Sequence, residues 1–412
     1  MTPNTPQALD GLRILDLSRV LAGPWCTQML GDLGADVVKV ERPGRGDDTR
    51  AWGPPFLPDA DGRPSQESAY YLCANRNKRS ITIDLALAEG ARLVRELAAV
   101  SDVLVENFKV GDLARYGLSP EQLLQLNPRL VICSITGFGQ TGPWREKPGY
   151  DFVAQALGGL MSVTGAADGE PGAGPQKVGV AVTDLYTGLH ATIAILAALR
   201  HRDQTGRGQW IDLSLFDSQL AMLANLGSQA LCGGTTPTRL GNAHPSIAPY
   251  QSLATQDGHL IVAVGNDRQF AHLAEVLGHP EWAADPRFAS NAQRVAHRQD
   301  LTAALETHFR SQPRAHWLER LEAAGVPCAA VNTVNEALAL EQTHARGMVV
   351  SLAHPLNPGQ KLIGNPIQMG ETPIQYRRPP PSLGEHGESV LREWLGADAA
   401  TCTAWRESGA LG

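Results

Sequence analysis

Several features that mark common classes of protein are missing from this chain. Its six cysteines are far apart in 412 residues and form neither a CxxC pair nor the Cys/His spacing of a zinc site. A disulfide framework or bound metal is therefore not indicated. No apolar stretch approaches the roughly 18 residues of a membrane span, and the first residues carry no basic segment followed by an apolar run. We expect a cytoplasmic protein that binds no membrane.

Positive charge is also scarce. The 35 Lys and Arg residues are outnumbered by 42 Asp and Glu residues, and the basic residues form no long run. Nucleic acid is therefore not an expected partner. Apolar residues make up 43% of the chain, which is enough for a full core, and the length suits two or three domains at about 150 residues each.

The usual nucleotide-binding signatures are absent. After the first predicted strand the chain reads SRVLAGPWCTQMLGDLGA, which contains neither GxGxxG nor GxxxxGK[ST]. The sequence therefore disfavours an enzyme that uses a dinucleotide or ATP.

Short β-branched runs alternate with amphipathic segments in the first half of the chain. This pattern predicts βαβ units on a parallel sheet, and so an α/β fold. The predicted strands are 12–17, 36–40, 80–84, 102–106, 130–135 and 209–213, and the predicted helices are 88–100, 184–200 and 216–232.

The second half contains two breaks and a smaller α/β region. We predict a long loop at 159–179, a strand at 260–264, a helix at 267–277 and further helices within 299–320. The last 80 or so residues are rich in Pro and Gly, and indicate an extended strap with one short helix at 388–395. The predicted domains are 1–225, 226–330 and a C-terminal strap, 331–412, that returns to the first domain.

Polar residues cluster where predicted strands meet loops, at 41–50, 75–79, 106–108 and 136–140. Open α/β sheets bind their ligands at one such edge. The Arg and Lys residues of these clusters would suit a phosphorylated ligand in an otherwise acidic protein.

Asp184 follows a Gly-rich loop and opens an almost wholly apolar helix. One interpretation is a helix cap, because Asp is a favoured capping residue. The other is a carboxylate nucleophile, which divides a difficult acyl transfer into two easier steps. The position of Asp184 alone leaves both interpretations open.

The sequence resembles the class III CoA-transferases from about residue 9 to residue 395. The resemblance is carried by LDGLRILDLSRVLAGPWCTQMLGDLGADVVKVERPGRGDDTR, NRNKRSITIDL, VENFKVGDLARYGL, SITGFGQTGPWREKPGYD, GVAVTDLYTGLHA, QTGRGQWIDLSLFD, AGVPCAAVNTV and RRPPPSLGEH.

This resemblance implies that Asp184 is the nucleophile. Asp184 would attack an acyl-CoA thioester to form a mixed anhydride and then an aspartyl-CoA thioester. The CoA thioester is a substrate, and no permanently bound cofactor and no metal are implied. The residues implied to bind CoA are Val20, Ala22, Arg42, Leu72, Asn107, Phe108 and Arg115.

Tyr150 distinguishes this sequence from the related α-methylacyl-CoA racemases, which carry His at the corresponding position of a GHD motif. Tyr, with a pKa near 10, is a poor substitute for that base, so transferase is favoured over racemase. Two further alternatives are a catalytically silent scaffold that binds acyl-CoA and a CoA thioester hydrolase.

The resemblance also implies the substrates and the assembly. We expect CoA to move from a donor such as succinyl-CoA to a dicarboxylic acid such as glutarate, with Tyr150, Arg239 and His244 as substrate-binding residues. His244 and Arg239 would bind the distal carboxylate of the acid. The expected architecture is a Rossmann-like large domain with a smaller α/β domain, in an interlocked homodimer.

Overall fold

The computed structural model describes residues 6–234 and 236–412, which divide into two compact units. Unit 1 contains the described residues up to Leu160 together with Val178–Leu231 and Gln342–Gly412. Unit 2 contains Met161–Lys177 and Cys232–Glu341. The domain boundaries 1–225, 226–330 and 331–412 stay a prediction.

The strands are numbered in chain order. They are β1 (Arg13–Asp16), β2 (Asp36–Glu41), β3 (Phe56–Pro58), β4 (Pro64–Ser68), β5 (Lys78–Thr82), β6 (Val103–Glu106), β7 (Val131–Thr136), β8 (Trp210–Ser214), β9 (Tyr250–Ala254), β10 (His259–Ala263), β11 (Cys328–Ala330), β12 (Val349–Ser351) and β13 (Lys361–Ile363).

The helices are numbered in the same way. They are α1 (Ala22–Asp32), α2 (Ala69–Leu72), α3 (Ala88–Ala99), α4 (Pro120–Leu126), α5 (Asp151–Leu157), α6 (Leu160–Val163), α7 (Val182–Thr205), α8 (Leu215–Met222), α9 (Ala224–Gly233), α10 (Asp267–Leu277), α11 (Asn291–Ala296), α12 (Arg298–Phe309), α13 (Arg314–Ala323), α14 (Val334–Ala339), α15 (Glu341–Ala345), α16 (Gly387–Leu395) and α17 (Ala399–Glu407).

Unit 1 is built on a six-stranded parallel sheet with the order β5-β2-β1-β6-β7-β8. Successive residues of each strand point to opposite faces. Ile14 therefore joins a core with residues of α1 and α7, whereas Leu15 joins a second core with residues of α3, α4, α16 and α17. The sheet is covered on both faces, which confirms the predicted α/β class.

One predicted cluster lies at the wrong end of its strand. Strand β5 begins at Lys78 rather than at residue 80, so residues 75–79 lie at its amino end and not at the ligand edge. Arg79 is ion-paired with Asp36, the first residue of the neighbouring strand β2. Lys78 and Arg79 are buried charged residues, and for that reason an apolar pattern did not include them in the strand.

Helix α7 is long and apolar enough to cross a membrane by length and composition alone. It instead packs against α1, α8 and the sheet of unit 1, and Ala191, Ile195 and Leu199 lie in the core. It is therefore a core helix of unit 1.

One predicted helix is divided in the structure. The helix predicted at 216–232 consists of α8 and α9, which are separated where Ala224 adopts a left-handed backbone with φ 45°. The helices predicted within 299–320 are α12, which ends at Phe309, and α13, which begins directly after Pro313.

Unit 2 contains the antiparallel sheet β11-β10-β9. Helices α10, α12 and α13 supply apolar residues to its core, among them Phe270, Leu305 and Leu321. The side chain of Arg294 is fully buried there, and it donates hydrogen bonds to the carbonyl oxygens of Ala248 and Phe288.

The predicted strap, 331–412, contains four helices, α14, α15, α16 and α17, so the prediction of one short helix is wrong in number. Trp394 and Trp405 of these helices lie in the core on one face of the parallel sheet. Earlier in the segment, Asn365 donates a hydrogen bond of 2.9 Å to the buried carboxylate of Asp32 in α1.

Candidate active site

A cavity of about 450 Å³ opens at the carboxyl ends of β1, β2, β5 and β6 in unit 1. This is the sheet edge at which doubly wound α/β folds bind ligands. Three residues that the resemblance assigned to CoA line this cavity, namely Arg42, Phe108 and Arg115. The structure therefore brings these three side chains together.

The side chain of Arg19 also lines the cavity, although the sequence analysis did not identify it as a binding residue. Arg19 forms an exposed ion pair of 2.9 Å with Asp48, and its guanidinium lies 5.9 Å from the centre of the Phe108 ring. Arg115 pairs at 2.9 Å with Asp112 in the same exposed setting. Exposed ion pairs are weak, so a phosphate could compete for either guanidinium.

Of two further predicted residues, Val20 lies in the loop between β1 and α1, and Ala22 is the first residue of α1. Asn107 holds this loop, because its side-chain oxygen accepts from the Arg19 N–H at 2.9 Å and its amide nitrogen donates to the Arg19 carbonyl at 2.8 Å. Its predicted contact with CoA stays a prediction. Leu72 is buried in a small core with Leu57, so only its backbone could reach a ligand.

Asp184 occupies the third position of α7, and the residue at the cap position is Ala181. Asp184 is therefore not the N-cap residue. The structure gives its carboxylate no hydrogen-bond partner within residues 6–234 and 236–412. Burial, and next the negative charge of Asp151, raise the pKa of Asp184 to about 7. Asp184 is thus only partly ionised at neutral pH, and no hydrogen bond from the described residues holds its carboxylate.

Asp151 is the first residue of α5, and its carboxylate caps the start of a different helix, α7. Its Oδ1 accepts the N–H of Thr183 at 2.8 Å and the N–H of Asp184 at 3.3 Å. Its Oδ2 accepts from Gln155 at 2.7 Å, and Gln155 in turn accepts the Val178 N–H at 2.9 Å. These bonds satisfy N–H groups that a helix start leaves unpaired and fix the backbone of the candidate nucleophile.

Helix α7 approaches α1 very closely at Gly188, one helical turn after Asp184. A Cβ atom at residue 188 would lie 2.7 Å from the carbonyl oxygen of Ala22 and 3.2 Å from Trp25. Glycine is needed at this contact because any side chain would separate the two helices. The contact places Asp184 beside the start of α1, where the predicted CoA residue Ala22 lies.

Tyr70 is a second residue near Asp184 that the sequence analysis missed. Burial, and next the negative charge of Asp184, raise the pKa of the Tyr70 phenol to about 12. The phenol therefore keeps its proton near the carboxylate at neutral pH. Its ring meets Trp52 edge to face at 5.2 Å. The paired tyrosines before NRNKR were the available signal in the sequence.

The three predicted substrate residues lie in different surroundings. Tyr150 is 64% exposed at the cap position of α5 in unit 1. Arg239 belongs to unit 2, where its guanidinium is already ion-paired with Asp168. His244, also in unit 2, accepts the Ser246 N–H at Nδ1 over 3.1 Å, so the neutral ring carries its proton on Nε2.

Glu106 is a buried acid at the end of β6, next to Asn107 and Phe108. Its Oε2 accepts the Phe108 N–H at 2.8 Å, and burial raises its pKa to about 7. The side chain of Ser134, its neighbour on strand β7, hydrogen-bonds to it. In the described part of the chain no group of three or more His, Cys, Asp and Glu side chains could hold a metal ion.

Comparison with known proteins identifies the family of this chain. Residues 9–387 match the profile of CoA-transferase family III. A succinate–glutarate CoA-transferase of Agrobacterium fabrum is 48% identical over 391 residues, which cover 95% of this chain and 96% of that protein. The human succinyl-CoA:glutarate CoA-transferase is 42% identical over 395 residues, covering 96% and 88%. The crystal structure of a CAIB/BAIF family protein from Brucella suis superposes with a TM-score of 0.85 at 48% identity, covering 94% of this chain and all of that one.

Proposed function

The chain belongs to CoA-transferase family III, and on that premise we propose that it moves CoA from succinyl-CoA to a dicarboxylic acid such as glutarate. The family assignment confirms the resemblance drawn from the sequence, and the protein is a class III CoA-transferase. The observation that supports the proposed mechanism is the Asp184 carboxylate beside the start of α1, to which none of the described residues hydrogen-bonds. The names of the relatives support the choice of acids.

In the proposed first half-reaction, a carboxylate oxygen of Asp184 attacks the thioester carbonyl of succinyl-CoA. The carbon–sulfur bond breaks, and the products are a succinyl–aspartyl anhydride and CoA thiolate. The thiolate then attacks the aspartyl carbonyl, which releases succinate and leaves an aspartyl-CoA thioester. CoA is retained while the acid leaves, and the energy of the thioester is not lost to water.

The second half-reaction runs through the same steps in reverse. A carboxylate oxygen of the acceptor acid attacks the aspartyl-CoA carbonyl, and CoA thiolate leaves as a second anhydride forms. The thiolate then attacks the acyl carbonyl of the acceptor, which gives the new acyl-CoA and frees Asp184. Arg19, Arg42 and Arg115 would hold the phosphates of CoA in the 450 Å³ cavity.

His244 stays the predicted partner of the distal carboxylate of the acceptor acid, as the resemblance implies. Its Nε2 carries the proton of the neutral ring and is a hydrogen-bond donor, because Nδ1 is occupied by the Ser246 N–H. Arg239 is the weaker candidate, since its guanidinium already pairs with Asp168 and donates to the Ala166 carbonyl.

The test compares acceptors that differ in the second carboxylate. With succinyl-CoA as donor, we expect glutarate to yield glutaryl-CoA at least about a hundredfold faster than pentanoate, which has the same chain length and one carboxylate. Products are separated and identified by mass. Equal rates for the two acids, or no acyl-CoA product from any acid, would overturn the proposed substrate. Release of free CoA without an acceptor would instead indicate a hydrolase.

We also propose that two chains form a homodimer, interlocked as the resemblance implies. Unit 1 exposes large apolar side chains on helices that pack on one another, including Phe152 on α5, Ile193 on α7 and Leu220 on α8. Ile193 is 64% exposed, which is unusual for an apolar residue on a central helix.

Sedimentation velocity tests this assembly. We expect the mass of two 44.1 kDa chains for the wild type and loss of this two-chain species for Ile193→Asp, because a charge in the apolar contact would stop two chains from assembling as they fold. Leu126→Asp, at an exposed position on α4, is the control and should stay dimeric. A wild-type protein that sediments as one chain at assay concentration would contradict the proposal.

A further inference from the structure

The loop between β1 and α1 contains a strained residue. Val20 adopts a left-handed backbone with φ 70°. This region is costly for a residue branched at Cβ, and such strain persists only where the surroundings enforce it. Two more non-glycine residues in the described part of the chain have a positive φ, namely Asn77 and Ala224. Neither of them is β-branched.

Two buried side chains of opposite charge enforce this conformation. The ammonium group of Lys39 donates to the carbonyl oxygen of Ser18 at 2.8 Å. The carboxylate of Asp47 accepts the Val20 N–H at 3.2 and 3.3 Å. Lys39 and Asp47 are themselves ion-paired at 2.8 Å, with side chains no more than 1% exposed.

The pair is itself fixed in place. Asp47 accepts from the Thr49 N–H at 3.0 Å and the Thr49 hydroxyl at 2.8 Å, and its own N–H donates to Glu41 at 2.9 Å. Burial alone would raise the pKa of Asp47, but the charge of Lys39 and these hydrogen bonds outweigh it and lower the pKa to about 2. Asp47 therefore stays charged at neutral pH.

The loop and the pair border both parts of the candidate site. Lys39 and Asp47 line the 450 Å³ cavity together with Arg42 and Phe108. The loop leads directly into Ala22, whose carbonyl meets α7 at Gly188, one turn from Asp184. A shift in the loop would therefore change the cavity and the surroundings of the nucleophile together.

We propose that the buried Lys39–Asp47 ion pair positions CoA indirectly. Through its hydrogen bonds to Ser18 and Val20, the ion pair holds the loop of residues 18–20 in its strained form. The proposal rests on the assignment of the cavity to CoA in the proposed function. Neither side chain takes part in the covalent steps. Loss of the charge on Asp47 would leave Lys39 without its nearest counter-ion and let Val20 relax to a negative φ.

The first test measures binding of CoA itself by isothermal titration calorimetry. Asp47→Asn keeps the shape of the side chain and removes its charge, and we expect the Kd for CoA to rise about tenfold. The matched control is Asp32→Asn, which removes the charge of another fully buried aspartate that is ion-paired with Arg76 at 2.6 Å. The control should bind CoA within about twofold of the wild type.

Steady-state kinetics separate positioning from damage to the fold. A variant that is partly unfolded has a lower apparent kcat and an unchanged KM. We expect Asp47→Asn to raise the KM for succinyl-CoA and to leave the KM for the acceptor acid unchanged. The proposal is overturned if folded Asp47→Asn binds CoA as the wild type does, or if Asp32→Asn weakens CoA binding equally.

Two further variants keep the proposal testable. Glycine adopts φ 70° without strain, so Asp47→Asn should cost less CoA affinity in a Val20→Gly background than in the wild type.

If Asp47→Asn does not fold, Thr49→Val removes one hydrogen bond from Asp47 and should raise the Kd about threefold. An unchanged Kd in Thr49→Val would then overturn the proposal. If instead the wild type binds CoA but does not transfer it to any tested acid, the proposed substrate fails and the positioning test still stands.

Discussion

Asp184→Asn is expected to lower the rate of CoA transfer roughly 10⁴-fold or more. An amide oxygen of Asn cannot displace CoA to form an anhydride, so both half-reactions lose their nucleophile. The amide has nearly the shape of the carboxylate, and the carboxylate has no hydrogen-bond partner to lose among the described residues. The variant should therefore fold normally.

Two measurements check this result. Transfer from succinyl-CoA to glutarate gives the rate, and mass analysis of peptides after rapid quenching should show CoA attached to the peptide that contains Asp184 in the wild type alone. Asp217→Asn is the control, because Asp217 occupies the equivalent third position of the neighbouring helix α8. A variant at 184 that transfers CoA at the wild-type rate would return Asp184 to a structural role.

The second large effect is a dependence on pH. Asp184 attacks as a carboxylate, and burial together with the charge of Asp151 raises its pKa to about 7. Below that pH the protonated, inactive form dominates. We therefore expect kcat/KM for succinyl-CoA to fall about tenfold per pH unit, so that at pH 5 it is about a hundredfold below its plateau.

Asp151→Asn should move this profile toward acid by roughly one pH unit. Removing a like charge favours the ionised form of Asp184, so the pKa of Asp184 falls. The side-chain oxygen of Asn can still accept the N–H groups of Thr183 and Asp184, so the start of α7 keeps its cap.

The control for the pH profile is Glu146→Gln, which removes an exposed negative charge from the loop before α5. Its midpoint should equal that of the wild type. A profile that stays in place in Asp151→Asn would show that the charge of Asp151 does not set the pKa of Asp184. A profile that moves toward alkali would contradict the proposed electrostatics altogether.

The fold was predictable wherever buried apolar residues formed a regular pattern. Strands β1, β2, β6 and β7 lie within one or two residues of their predicted bounds, because each is a short apolar run buried on both faces. The hairpin of β3 and β4 was not predicted, because Pro64–Ser68 lacks an alternation of apolar and polar residues and begins with Pro. The last helix, α17, was missed as well.

The candidate site was predictable only in part, and for a physical reason. Asp184 stood out through a motif that is contiguous in sequence. Asp151 did not, because its role depends on contacts with residues 32 and 33 positions later in the chain. The Lys39–Asp47 pair was missed because Lys is normally a surface residue, and only the folded sheet shows that both charges are buried.

The order of segments in unit 1 has a consequence for how the protein is made. Helices α16 and α17 cover one face of a sheet whose first strand begins at Arg13. The backbone of Gly412 is bonded to Thr82 at the end of β5. Its N–H donates to the Thr82 carbonyl, and its carbonyl oxygen accepts from the Thr82 hydroxyl. During synthesis the part of that face that α16 and α17 cover stays exposed while the whole of unit 2 is translated. Contacts this distant in sequence form slowly, so the nascent chain carries an exposed, aggregation-prone surface until α16 and α17 have left the ribosome.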